Sequence, residues 1–206
     1  MTKIWAVVFV ANTAACLIAD NPEFGLGVVA TPGETSGTDS SGTDSSGEGV
    51  IYELSLSEDA TIEESDAINN RGQEQSCFVV DMPREWALVG GVTPADLPAG
   101  EIVAAYLRLN ITAATGGPIG VRVIVGPWTE DSVTWNMKPP LLSAPMVEFM
   151  PAVGSVEVDL EPLLPALNEG GMQHGFLFST SSGLMHFSSS EAGDIAGPIL
   201  VVTIVD

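Results

Sequence analysis

Residues 106–112 read YLRLNIT and alternate strictly between polar and apolar side chains. Successive side chains of a β-strand point to opposite faces, so Leu107, Leu109 and Ile111 share one apolar face. The same period of two recurs in other short runs separated by Gly and Pro, namely VRVIV (121–125), VEVDL (156–160), GFLFST (175–180) and ILVVTIV (199–205). Such runs predict an all-β chain folded as an antiparallel sandwich or barrel.

One short helix is expected within this all-β pattern. Asp159 can cap a turn in residues 161–169, which carry three leucines, and the glycine pair at 170–171 can end it. Pro165 limits the length of that helix. No glycine-rich loop follows a strand and opens a helix, which argues against an α/β nucleotide-binding fold.

The charge balance excludes some classes of partner. The chain has 27 acidic side chains against 6 Lys and Arg, a formal net charge of -21. Nucleic-acid binding requires clustered basic side chains, so no nucleic-acid partner is expected. Direct adsorption to an anionic membrane is disfavoured for the same reason.

The first sixteen residues, MTKIWAVVFVANTAAC, have the order of a secretory signal: Lys3, an apolar run, then small residues. The segment is too short to span a bilayer as a helix. TAAC, at 13–16, resembles the end of a bacterial lipoprotein signal. That resemblance implies a signal peptide over 1–15, diacylglycerol on Cys16 and membrane contact through this lipid only. The alternatives are an ordinary secreted protein cut nearby, or a disulfide between Cys16 and Cys77.

A flexible acidic linker is predicted over residues 16–49. Its low-complexity part, 31–49, is rich in Gly, Ser, Thr and acidic residues and repeats SGTDS at 36–40 and 41–45. Such a composition buries too little apolar surface to offset the entropy of ordering. Cys77, in the folded part, is interpreted as a small buried apolar residue.

The sequence shows no catalytic motif, and we expect no enzyme activity. Glu130 and Asp131 are adjacent, so on an extended chain their side chains point to opposite faces rather than flanking one glycosidic bond. A more distant partner such as Glu191 stays open for Glu130. The chain has two histidines and neither GxSxG nor HExxH.

Residues 128–139, WTEDSVTWNMKP, resemble a recurring segment of DNRLRE-type domains, which are grouped with family 96 carbohydrate-binding modules. Further resemblances follow in the same order along the chain, in DATIEESDAINNRG (59–72), LPAGEIVAAYLRLNI (97–111), VEVDLEPLLPAL (156–167), QHGFLF (173–178) and HFSSSEAGDIAGPILVVTI (186–204). They imply a jelly-roll-like β-sandwich over 50–206 that is secreted or surface-bound and non-catalytic. They also favour core positions for Trp128 and Trp135.

The stretch REWALVGGVTPADLP, residues 84–98, departs from that family's pattern. Gly90 and Gly91 stand where a Phe and a polar residue are expected. Because glycine within a strand often marks a bulge or an edge, this strand is expected to bulge or to lie at a sheet edge.

Two aromatic residues and three carboxylates are the candidate site residues. Trp86 and Tyr106 can offer flat apolar faces to a sugar ring, although a loop could equally cover either of them. Asp59, Glu191 and Asp194 could hold a structural calcium if the two ends of the domain meet, since calcium takes six to eight oxygen ligands. Their alternative role is that of ordinary solvated surface carboxylates.

These observations predict a lipid-anchored, extracytoplasmic surface protein whose sandwich binds an extracellular polysaccharide without catalysis. The alternative is a structural or adhesive surface protein that acts through protein–protein contacts and has no affinity for glycans. No cofactor is required under either interpretation, apart from the possible structural calcium.

Overall fold

The computed structural model describes residues 49–92, 99–193 and 197–206. The signal segment 1–15, Cys16, the linker apart from Gly49, and Asp194 therefore lie outside the described residues.

Eleven strands of the described ranges form one antiparallel sheet that curls on itself. The strands are β1 (Val50–Ser55), β2 (Glu58–Glu63), β3 (Ser76–Val80), β4 (Glu85–Gly90), β5 (Glu101–Gly116), β6 (Ile119–Val123), β7 (Val147–Phe149), β8 (Gly154–Asp159), β9 (Phe176–Thr180), β10 (Gly183–Ser188) and β11 (Ile199–Val205). The helical elements are the α-helix α1 (Leu164–Asn168) and three 3-10 turns, Trp135–Met137, Glu161–Leu163 and Gly171–Gln173.

The long strand β5 turns the sheet into a two-layered, sandwich-like body. Its first part pairs with β11, its last part pairs with β10, and its middle pairs with β8. From β10 the sheet continues through β3 and β4 to β9, β6 and β7, while β2 pairs with β4 and β1 pairs with β11. The predicted all-β antiparallel class is confirmed.

The main core lies between the two layers. Leu107, Leu109 and Ile111 are at most 1% exposed, as the alternation in YLRLNIT predicts. The rings of Phe178 on β9 and Phe187 on β10 approach to 5.4 Å between centroids and join the layers. An aromatic pair of this kind adds to the hydrophobic gain from burial.

The predicted short helix is also confirmed, as the 3-10 turn Glu161–Leu163 followed directly by α1. The Asp159 carboxylate accepts a 2.9 Å hydrogen bond from the backbone N–H of Glu161, at the first turn after β8. Leu163 and Leu167 are buried against the main core, and Gly170 follows the helix with a φ of 99°. A positive φ is the conformation that glycine adopts most readily.

The expectation for the stretch 84–98 is wrong where the structure describes it. β4 is a regular inner strand, because it pairs with β2 along one edge and with β9 along the other. Gly90 ends the strand, and a Cβ there would meet the Trp128 ring carbon Cζ2 at 3.1 Å. Glycine at position 90 therefore leaves space for the Trp128 ring to pack over the end of β4. It does not mark a sheet edge.

The segment 128–139 covers the outer face of β2, β4, β9 and β6 and creates a second, smaller core. Its buried members are Ala60, Ile62, Leu88, Ile124, Val133 and Leu177. Trp128 and Trp135 are half-buried and pack against this cluster. Both tryptophans thus belong to a core, but to this outer one rather than to the core between the layers.

Candidate functional site

The outer face of the sheet is left open beside segment 128–139, and a groove of about 190 Å³ forms there. Gly120 on β6 lies opposite Ser179 on β9 and Glu148 on β7. Ser179, Gly120 and Glu148 thus form one row across β9, β6 and β7, because directly opposed residues share one face of a sheet. Trp86 lies two residues before Leu88, which pairs with Leu177 of β9, so it points to the same outer face and borders the groove from β4.

Trp86 forms one wall of this groove and is itself supported from behind. Its ring lies 4.6 Å from the Trp135 ring between centroids, at an interplanar angle of 48°. The Lys138 ammonium lies 4.6 Å from the Trp135 centroid and 5.8 Å from the Trp86 centroid, within the range of cation–π attraction. The half-buried Trp86 side chain is thereby fixed with part of its surface exposed to solvent.

Basic side chains concentrate around the groove. Arg84 and Arg122 both line it. Across the described ranges, the Lys and Arg side chains without a carboxylate within ion-pair distance are Arg122 and Lys138. In a chain of net charge -21, this face therefore offers unpaired positive charge.

Tyr106, the second aromatic candidate, lies on the other layer of the sandwich. It is half-buried on β5, and its hydroxyl accepts a 3.3 Å hydrogen bond from Arg108. The Arg108 guanidinium also pairs with Glu53 at 3.0 Å and with Glu157 at 3.3 Å. The structure thus does not bring Tyr106 and Trp86 together, and Arg108 already donates a hydrogen bond to the Tyr106 hydroxyl.

Two of the three carboxylates proposed as calcium ligands lie near each other, because Asp59 and Glu191 both accept hydrogen bonds from Ser190. Asp59 on β2 is 1% exposed, and its Oδ2 accepts a 2.6 Å hydrogen bond from the backbone N–H of Ser190. Its Oδ1 accepts a 3.1 Å hydrogen bond from the Cys77 thiol, which is buried as predicted. Next to Ser190, the Glu191 Oε1 accepts a 2.8 Å hydrogen bond from the Ser190 hydroxyl, whereas its Oε2 is buried and has no hydrogen-bond partner among the described residues.

Glu130 joins this acidic cluster from segment 128–139. Its pKa is raised from 4.5 to about 7, first by burial and then by the charges of Glu191, Asp59, Asp131 and Glu58, in that order. Glu191 exerts the strongest of these charge effects on the pKa of Glu130. The catalytic pairing of Glu130 with Glu191 stays untested.

Only one hydrogen bond to the Glu130 carboxylate is seen among the described residues. The Gln73 amide donates to Glu130 Oε1 at 3.0 Å and to Asp131 Oδ1 at 3.3 Å. The Glu130 backbone carbonyl is held separately, because it accepts a 2.5 Å hydrogen bond from the Asn70 amide.

The described part of this cluster does not fit a calcium ion as it stands. Both Asp59 oxygens accept hydrogen bonds, and within the described ranges no group of three or more His, Cys, Asp or Glu side chains is arranged to hold a metal. A calcium ion needs six to eight oxygens at about 2.3–2.6 Å. Calcium binding stays a prediction, since Asp194 is not described.

Several residues that line the groove were not predicted from the sequence. Arg122 could have been noticed, because it points away from the apolar face shared by Val121 and Val123 in a chain with few basic residues. Met146 and Glu148 carry no such signal, since their positions beside Gly120 depend on the pairing of β6 with β7.

No known protein-family model matches this chain, and no curated protein matches it. The resemblance of residues 51–206 to DNRLRE-type domains therefore stays a prediction carried by the quoted segments alone. Among the described residues, no helix is long and apolar enough to cross a membrane.

Proposed function

We propose that this protein is a non-catalytic module that binds an extracellular polysaccharide in the groove beside Trp86. The observation that carries the proposal is the groove lined by the Trp86 indole and by the small residues Ser179 and Gly120, with Glu148 beyond them. A rigid indole can stack on the C–H face of a sugar ring, while neighbouring polar groups bond its hydroxyls. Trp135 and Lys138 hold this indole in place before any ligand arrives, which reduces the entropy cost of binding.

The unpaired guanidinium of Arg122 favours a polymer that carries acidic groups, although Glu148 also lines the groove and Arg84 is already paired with Glu64. Guanidinium pairs with carboxylate or sulfate through two parallel hydrogen bonds. The remaining surface is strongly acidic and would repel a polyanion. Raising the salt concentration should therefore weaken binding at this face more than it would weaken binding by aromatic stacking alone.

The first prediction concerns Trp86. Trp86→Ala is expected to weaken binding to polygalacturonate by roughly tenfold, the loss typical of one stacking aromatic residue. Tyr106→Ala is the matched control, because Tyr106 lies on the other layer beside Arg108. The Tyr106→Ala variant should bind polygalacturonate with the affinity of the wild type. Isothermal titration calorimetry of residues 49–206, with acidic and neutral polysaccharides and with or without calcium, measures both variants.

A folded wild-type domain that binds none of these polymers at millimolar concentration would overturn the glycan proposal. The alternative, a structural or adhesive protein acting through protein–protein contacts, would then take precedence. Surface location is a separate part of the proposal, since it rests on the signal pattern 1–15 and on lipid attachment at Cys16.

A further inference from the structure

A methionine forms the second wall of the groove. Met146 directly precedes β7, and its side chain is 38% exposed. The Met146 sulfur accepts a hydrogen bond from Arg122 Nε–H at 3.3 Å. A Cβ at Gly120 would lie only 2.8 Å from that sulfur, so the thioether rests directly on the strand backbone at Gly120.

The register of the strands sets the width between the two walls. Gly120 lies directly opposite Ser179, and β4, which carries Trp86, is the strand beyond β9 on the other side. Neighbouring strands are about 4.8 Å apart, so β4, which carries Trp86, and β6, on which the thioether rests, are separated by about 10 Å. Ser179 presents only a small hydroxyl between them.

Met146 differs from an ordinary surface methionine because its position is fixed. A methionine side chain has three rotatable bonds and loses conformational entropy when it is ordered. In the free protein, the hydrogen bond from Arg122 and the close contact with the backbone at Gly120 already order the Met146 side chain. Met150 is more exposed, at 64%, and is not among the residues that line the groove.

We propose that Met146 is a specificity-determining residue that restricts the groove to a single unbranched polysaccharide chain. The inference rests on the proposed function. A sugar ring that stacks on Trp86 above Ser179 has its other edge against the Met146 thioether. A side branch on that edge would have to displace the thioether and break its contact with Arg122.

The experiment compares polygalacturonate, which is unbranched, with xylogalacturonan, which has the same backbone and single xylose branches. The neutral pair is unbranched mannan and galactomannan. Wild type is expected to prefer the unbranched polymer of a pair by at least about tenfold, a discrimination that a steric wall can supply. Met146→Ala should reduce that preference to about threefold or less, whereas Met146→Leu, which keeps an apolar wall, should retain most of it.

Two further variants distinguish the steric effect of the Met146 thioether from the general effect of substituting a surface methionine. Gly120→Ala should displace the thioether and lower the preference as Met146→Ala does, and Met150→Ala should leave it unchanged. If wild type binds branched and unbranched polymers equally, or if Met146→Ala keeps the full preference, this inference is wrong while the proposed function stands. If wild type binds none of the four polymers, both proposals fall.

Discussion

Asp59→Ala is expected to lower the free energy of unfolding by about 2–3 kcal/mol. Asp59 is fully buried on β2 and accepts hydrogen bonds from the Ser190 N–H and the Cys77 thiol. Alanine leaves the Ser190 N–H without its acceptor, and an unsatisfied buried polar group costs about 1–3 kcal/mol on its own. The expected loss of stability is large because the substitution also removes the hydrogen bond that joins β2 to the loop after β10.

Asp159→Ala is the matched control for this prediction. Asp159 is an exposed carboxylate that accepts a single 2.9 Å hydrogen bond from the Glu161 N–H, so its loss should cost about 1 kcal/mol. Urea denaturation followed by tryptophan fluorescence gives both values. Equal losses in the two variants would show that burial of Asp59 adds nothing.

Asp59→Asn separates the charge of Asp59 from its hydrogen bonds. Burial raises the pKa of Asp59, the Glu191 charge raises it further, and the hydrogen bonds from Ser190 and Cys77 lower it. The ionised form is therefore costly in the fold, whereas an amide oxygen can still accept from Ser190. We expect Asp59→Asn to lie within about 1 kcal/mol of wild type at pH 8.

The alternation of apolar and polar residues was enough to predict the class of this fold. Burying Leu107, Leu109 and Ile111 on one face fixes which side of β5 meets the core, whatever its neighbours are. The pattern does not state which strands are neighbours. The glycines at 90 and 91 therefore predict a bulge or an edge strand, although Gly90 is needed because Trp128 packs onto it from a distant segment.

The site was predicted only in part for the same reason. Trp86 and the carboxylates Asp59 and Glu191 could be picked out by residue type, but their surroundings depend on cross-strand register. Asp59 and Glu191 were expected to meet because first and last strands often pair. β1 and β11 do pair, yet Asp59 lies on β2 in the other part of the sheet and meets Ser190 in the loop after β10.

Glu130→Gln is expected to stabilise the protein by about 1–2 kcal/mol at pH 8 and to leave its stability almost unchanged at pH 4.5. In the folded protein the pKa of Glu130 is raised from 4.5 to about 7 by burial and by the charges of Glu191, Asp59, Asp131 and Glu58. A raised folded-state pKa contributes stability that is fully present below about pH 4.5 and is lost as the pH rises through about 7. The full difference in pKa corresponds to about 3 kcal/mol, and solvent screening of a half-buried side chain reduces it.

Urea denaturation at several pH values between 4.5 and 8, in EDTA, measures this effect. Wild type should lose stability across that interval more steeply than Glu130→Gln. Glu101→Gln removes one exposed carboxylate from β5 and controls for the general repulsion in a chain of net charge -21. Parallel curves for wild type and Glu130→Gln would contradict the prediction. If added calcium removes the wild-type loss but has no effect on Glu130→Gln, the predicted calcium ion binds at this cluster, because a cation there would replace the proton that Glu130 otherwise holds.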